Sequence, residues 1–333
     1  MNNVAELLTS TASATSVNIT PLETIGILAP GEMGSALASV FRQNHCRVIT
    51  SVQNRSDRTK RLVKAAQIET LPTLLDVVRE SSIVISTTPP QCASELAGVI
   101  ASMEPREGTL YIDANSIAPK TAQQVQQVLH ATGMTMIDMA VRGLAGQLTQ
   151  RGAVYLSGEE VERVAPLLRP IETENLGQEV GNASLLKMLM GGLSKGIATL
   201  VMELGVGAER AGILDRFLQG LDRYYPDVAS AMDSVLPTYP QHARRRVHEL
   251  EEVTSCLADF GIESQLVDAG RRLLQSYSQT ALDKSIAQLQ NNTVQDNIRA
   301  LSRQSSFLAS STGQHSVDLL ESASNQTSAT AED

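Results

Sequence analysis

The residues most able to do chemistry begin at Ala29-Pro30-Gly31-Glu32-Met33-Gly34. This turn follows an apolar run with Ile25, Ile27 and Leu28, and it opens a helical pattern that puts Met33, Leu37, Val40 and Phe41 on one face. A strand running through a glycine turn into a helix binds anions. The helix start offers unpaired N–H groups and a partial positive charge to a phosphate. Gly31 lets the backbone approach a pyrophosphate, and Gly34 lets the helix pack on the strand. The dinucleotide pattern G-x-G-x-x-G is met except at its first position, where Ala29 stands. An ordinary strand-to-helix turn is the plainer alternative. Farther along, Asn54-Arg55-Ser56 follows the next apolar run, with Arg58 close by. NAD-binding domains put a carboxylate there for the ribose 2′-hydroxyl. Here Arg55 offers a planar fork to a 2′-phosphate, which favours NADP over NAD.

Several function classes are excluded by composition. The 333 residues carry a net charge of −9, which argues against nucleic acid as a partner. The three cysteines, Cys46, Cys92 and Cys256, are far apart, fit a reducing, cytoplasmic setting, and form no disulfide framework. The five histidines are scattered, and no metal site is expected. No stretch of about 18 uncharged apolar residues is present, so no membrane span is expected. The most apolar run, Leu185 to Leu204, is interrupted by Lys187 and Lys195.

The elements that must position these residues alternate in the first half. Strands are expected at Arg47–Val52, Ile83–Ser86, Thr109–Asp113, Met134–Asp138 and Ala153–Ser157, besides the one before Ala29, with helices between them. That alternation predicts an α/β fold, a doubly wound parallel sheet of the Rossmann kind, with ligands at the carboxyl ends of its strands. After about Gly181 the strand signal stops and an all-α domain follows, opening on a helix from Asn182 to about Gly205. The expected layout is a flexible arm over 1–22, a cofactor domain over 23–180, a helical dimerisation and substrate domain over 181–310, and a disordered tail over 311–333.

In this order, the segments GILAPGEMG, NRS, STTPP, YIDANSIAP, MIDMAVRG and NASLLKM resemble the 6-phosphogluconate dehydrogenase and β-hydroxyacid dehydrogenase superfamily. The turn A-P-G-E-M-G and the segment from His242 to Leu274 are most similar to a branch with a poorly characterised, phosphogluconate-dehydrogenase-like C-terminal domain. The resemblance implies an NADP-dependent oxidoreductase that moves hydride between the nicotinamide and a small hydroxy or carbonyl substrate. It implies that Thr87, Thr88 and Pro89 line the cofactor ribose, that Asn115 and Ser116 lie near the nicotinamide, and that Lys187 is the general acid/base. An ammonium on a buried helix face can donate to a carbonyl oxygen, and burial lowers its pKa toward the working range. The plainer alternative is a lysine capping a helix turn or paired with Glu203. The resemblance also implies an intertwined homodimer.

The chain departs from the family pattern in its substrate segment. Arg142 stands where relatives carry serine, Gly143 is kept, and Leu144 replaces the second glycine. Gly191-Gly192 replaces an Asn-Asn pair after the lysine. Arg142 is a candidate for a substrate carboxylate or phosphate. His248 falls where relatives carry a lysine beside the nicotinamide, and Arg244, Arg245 and Arg246 form a basic cluster. Two other readings remain open: an imine reductase on the same fold, against which Lys187 argues, and a non-catalytic NADP-binding protein.

Overall fold

The computed structural model describes residues 23–233, 235–278 and 293–303. The arm over 1–22, the tail over 311–333 and a helix expected over 282–290 lie outside the described residues.

Residues up to Lys187 form one compact unit and those from Met188 a second. The first holds an eight-stranded sheet in the order β3-β2-β1-β4-β5-β6-β7-β8. Its strands are β1 Thr24–Leu28, β2 Arg47–Ser51, β3 Glu69–Leu71, β4 Ile83–Ser86, β5 Leu110–Asp113, β6 Thr135–Arg142, β7 Ala153–Gly158 and β8 Glu172–Asn175. The helices between them are α1 Glu32–Gln43, α2 Asp57–Ala65, α3 Leu74–Glu80, α4 Ala93–Ala101 and α5 Pro119–His130, with the short α6 Leu148–Arg151 and α7 Val161–Val164. Side chains alternate across the central strands. Ile25, Ile27, Ile83 and Ile85 pack with Leu37 and Phe41 of α1 on one face. Leu28, Val84 and Tyr111 pack with Ala97 of α4 and Val125 of α5 on the other. Both faces are therefore covered, as a parallel sheet requires.

The structure corrects the expected sheet in two ways. β6 and β7 pair antiparallel, Asp138 opposite Ser157. Their connection is too short for a crossover helix of about a dozen residues, so the chain can only turn back beside itself. β3 and β8 lie at the sheet's two edges and were not expected. Their sequences, ETL and ETEN, are largely exposed and carry no apolar alternation.

The helical unit continues α8, Asn182–Arg210, and adds α9 Leu214–Tyr224, α10 Pro226–Met232, α11 Ala243–Asp259, α12 Gln265–Ser278 and α13 Val294–Ser302. Ala198, Met202 and Val206 of α8 join Leu214, Met232, Tyr239, Leu250, Leu274 and Ile298 in its core. α8 has 29 residues, and an 18-residue window within it reaches a mean hydropathy of 1.4, so by length and composition it could cross a membrane, although Lys187 and Lys195 interrupt its apolar run.

Candidate active site

The Gly turn is built as its sequence requires, with one substitution of means. Ala29 takes φ 58°, the left-handed conformation that favours glycine, in place of the missing first glycine. Its carbonyl accepts from Gly31 N at 2.7 Å and from Thr87 Oγ1 at 3.0 Å. Pro30 is buried, and its carbonyl accepts from Ser35 Oγ at 3.4 Å. A Cβ on Gly34 would lie 2.6 Å from Thr87 Oγ1 and 3.2 Å from Ile27 Cγ2, so only glycine lets α1 approach β1 this closely. A Cβ on Gly31 would meet nothing nearer than Ala29 O at 4.0 Å. It would project into the open space before α1, whose start no side chain caps. That cradle fits a pyrophosphate. Met33 packs against the sheet core, and Glu32 is exposed and paired with Arg58.

After β2 the chain turns at Asn54, also left-handed with φ 58°. Arg55 is exposed, with its amide on Val52 O at 3.1 Å. The Ser56 hydroxyl accepts from Thr59 N at 3.3 Å and caps α2. Its side chain therefore has a structural duty beside any cofactor contact.

At the carboxyl edge of the sheet, Leu28 is in register with Ser86, Ser86 with Asp113, and Asp113 with Asp138. Ser157 lies opposite Asp138 on β7. Ser86, Asp113, Asp138 and Ser157 thus form a polar row across four adjacent strands, and all four are fully buried. The row reaches upward through hydrogen bonds. Asp113 accepts from Asn115 N at 2.9 Å and from Asn115 Nδ2 at 3.0 Å. The same Nδ2 donates to Ser86 Oγ at 2.9 Å, and Thr88 Oγ1 donates to Asn115 Oδ1 at 3.4 Å. Asp138 accepts from Ser184 N at 2.8 Å and Ser184 Oγ at 2.7 Å, which anchors the first turn of α8. Ser157 Oγ accepts from Ala183 N at 3.1 Å. Burial pushes the Asp113 carboxyl up to about 6 and raises that of Asp138 as well.

Lys187, three residues after Ser184, donates through Nζ to Oγ of Ser116, the residue after Asn115, at 2.7 Å. Lys187 and Glu203 lie sixteen residues apart on α8, about 24 Å along a helix, so they do not pair. Arg142 is exposed at the far end of β6, and Gly143 follows at φ 117°. A Cβ there would lie 3.1 Å from Gly152 Cα, so this turn holds glycine for steric reasons. Pro89 is exposed where β4 gives way to its loop.

The helical unit accounts for the remaining candidates. His248 leaves 75% of its side chain exposed and reaches Glu251 Oε2 at 3.5 Å on its own helix, α11. Arg246 is buried. Its guanidinium donates to Thr238 O and Tyr239 O and stacks 4.8 Å from the Tyr239 ring centre, a structural role. Lys195 pairs with Glu249 at 3.1 Å.

The segments YIDANSIAP and MIDMAVRG contain Asp113 and Asp138, which were not among the expected site residues, nor were Ser86, Ser157 and Ser184. Their signal was a polar residue within or ending an otherwise apolar strand. Among the described residues, no group of His, Cys, Asp and Glu could hold a metal ion.

Residues 24–178 match the NAD binding domain of 6-phosphogluconate dehydrogenase, and residues 208–277 match a domain of unknown function, DUF1932. A conserved protein of unknown function, described as structurally similar to 3-hydroxyacid dehydrogenases, is 25% identical with a TM-score of 0.65, over 78% of this chain and 98% of that one. The 3-hydroxyisobutyrate dehydrogenase of Mycobacterium tuberculosis is 18% identical with a TM-score of 0.65, over 84% and 99%. An imine reductase variant from Myxococcus stipitatus, in complex with NAD+, is 18% identical with a TM-score of 0.52, over 84% and 99%. The fold is the one these dehydrogenases and imine reductases share.

Proposed function

Because the chain joins an NAD binding domain of the 6-phosphogluconate dehydrogenase type to a DUF1932 domain, we propose that it is an NADP-dependent oxidoreductase that interconverts a hydroxyl and a carbonyl on a small substrate. A bound nicotinamide supplies or accepts the hydride. The chain's own residues hold the cofactor and handle the proton. Gly31 and the uncapped start of α1 face the pyrophosphate. Arg55 meets the ribose 2′-phosphate beside Asn54 and Ser56, while Thr87, Thr88 and Pro89 border the ribose. Lys187 Nζ gives its proton to the carbonyl oxygen as hydride arrives at carbon, and recovers it from solvent. Ser116 Oγ holds that ammonium on the loop that Asn115 precedes. Arg142, beside Gly143, is the proposed anchor for an anionic substrate group, and His248 is a further substrate-binding candidate. The three cysteines are all unpaired, in keeping with a cytoplasmic setting.

The observation that carries this reading is the 2.7 Å contact between Lys187 Nζ and Ser116 Oγ at the sheet edge that holds the Gly turn. The test is a screen of NADPH oxidation against carbonyl compounds and cyclic imines with the native chain and Lys187→Met. General acid assistance is worth about 10²- to 10⁴-fold. The variant should keep NADPH binding and lose at least about 10²-fold in turnover of a carbonyl. Unchanged turnover would remove Lys187 from the proton step. Activity kept on imines but lost on ketones would favour an imine reductase, since an iminium needs no donor. Arg55→Ala tests the cofactor. A charge-assisted bidentate contact is worth about 1.5–3 kcal/mol, so NADPH binding should weaken about 10- to 100-fold and NADH binding far less. Equal losses would point to a cofactor without the 2′-phosphate contact.

A further inference from the structure

The buried polar row is joined to the residues next to the Lys187–Ser116 pair by hydrogen bonds to Asn115 and Ser184. An ionised carboxylate without water around it is unfavourable by several kcal/mol unless hydrogen bonds replace its hydration. Asp113 and Asp138 sit side by side in register, so each also faces the other's charge. Apolar residues at these two positions, the end of β5 and the middle of β6, would avoid both penalties. Instead, each carboxylate is satisfied by the backbone that carries one partner of the pair above. Asp113 takes both the amide and the side-chain N–H of Asn115, the residue before Ser116. Asp138 takes both the amide and the hydroxyl of Ser184, three residues before Lys187 and on the same helix face. Ser86 and Ser157 extend the two clamps to the neighbouring strands.

We propose that Asp113 and Asp138 are positioning residues: Asp113 fixes the Ser116 loop, Asp138 fixes the first turn of α8, and together they set Lys187 Nζ against Ser116 Oγ. Neither carboxylate touches the reacting atoms. The role rests on the reading of Lys187 as proton donor, but it is tested without any substrate. The same four side chains also explain why the row is polar on four strands rather than on one. Each of the four serves the loop or helix turn that its hydrogen bonds reach.

The experiment is trace acetylation of the full chain with acetic anhydride at fixed pH, read lysine by lysine by peptide mass spectrometry, with NADPH affinity measured by fluorescence titration. Ser116→Ala removes the Ser116 Oγ acceptor from Lys187 and sets the reference rise in labelling. Asp138→Asn removes the charge and leaves one acceptor oxygen where Ser184 N and Ser184 Oγ each had one. Lys187 labelling should rise about fivefold or more, the ratio expected for losing roughly one buried hydrogen bond. Lys60, Lys64, Lys120 and Lys195 should stay within about twofold. Asp113→Asn should act in the same direction through the Ser116 loop. Ser157→Ala, a smaller change that keeps the fold if Asp138→Asn does not, should give a rise of about twofold or more. A uniform rise over all lysines would mean that the aspartates merely stabilise the fold, and would overturn the proposal. So would unchanged Lys187 labelling in Asp138→Asn and Ser157→Ala when Ser116→Ala raises it. A loss of positioning with normal NADPH affinity leaves the Lys187→Met test of function independent of this one.

Discussion

Burial moves the Asp113 carboxyl from its ordinary 3.8 up to about 6, against the opposing pull of two bonds from Asn115. The sign of its effect on stability follows. The folded chain binds this proton more tightly than the unfolded chain does, so the contribution is fully present below about pH 4 and is lost as pH rises through about 6. Asp138, also raised by burial, faces it across one strand spacing, and its charge adds a little to the rise at Asp113. Carboxyl carbon NMR across pH 3 to 8 should therefore show an aspartate resonance that Asp113→Asn removes, with a midpoint near 6. A midpoint below about 4 would mean that the Asn115 bonds, not burial, dominate. Above that midpoint the carboxylate is ionised and both N–H groups of Asn115 have an acceptor.

The Gly turn shows what a motif can and cannot say at the scale of an element. Gly31 and Gly34 were legible in the sequence because their reasons are local: an open cradle and a close approach of α1 to β1. The absent first glycine looked like a defect of the motif. The structure shows the conformation preserved and the residue changed, with Ala29 at φ 58°. An L-residue there costs about 1–2 kcal/mol, and part of that is offset because alanine loses less entropy on folding than glycine does. Ala29→Gly should therefore stabilise the chain by about 0.5–1 kcal/mol and leave the turn unchanged. Chemical denaturation with NADPH titration checks both; a lower denaturation midpoint would show that the left-handed turn is not what limits this segment. Central strands were equally legible, since runs such as Ile83–Ser86 are apolar on both faces. The edge strands β3 and β8 were not, because exposure at an edge leaves no pattern to read. The polar row was hidden for a different reason. Register between strands decides that Ser86, Asp113, Asp138 and Ser157 meet, and register is a property of the sheet rather than of any one strand.

For the whole molecule, the feature left to account for is the surface of α8. Ala198, Met202 and Val206 face the helical core, yet Leu189, Leu193, Leu200 and Leu204 are 38%, 58%, 55% and 52% exposed. Their spacing places them along one stripe of the helix. Single exposed leucines need no explanation, but a continuous apolar stripe on a monomer is unfavourable and marks a contact surface. The same helix meets the length and hydropathy of a membrane span. Lys187 and Lys195 are held by Ser116 and Glu249 rather than reaching for an aqueous interface, which favours a protein partner over lipid. A second copy of the chain is the simplest such partner, since the same stripe is then buried twice in one closed contact. The expected outcome is a homodimer at micromolar concentration by light scattering. Leu193→Glu together with Leu200→Glu puts two charges into that stripe, and burying an unpaired charge is prohibitive. The double variant should run as a folded monomer with an unchanged circular dichroism spectrum. A native chain that scatters as a monomer would leave the stripe without this partner, and detergent-dependent solubility of the native chain would assign it to lipid instead.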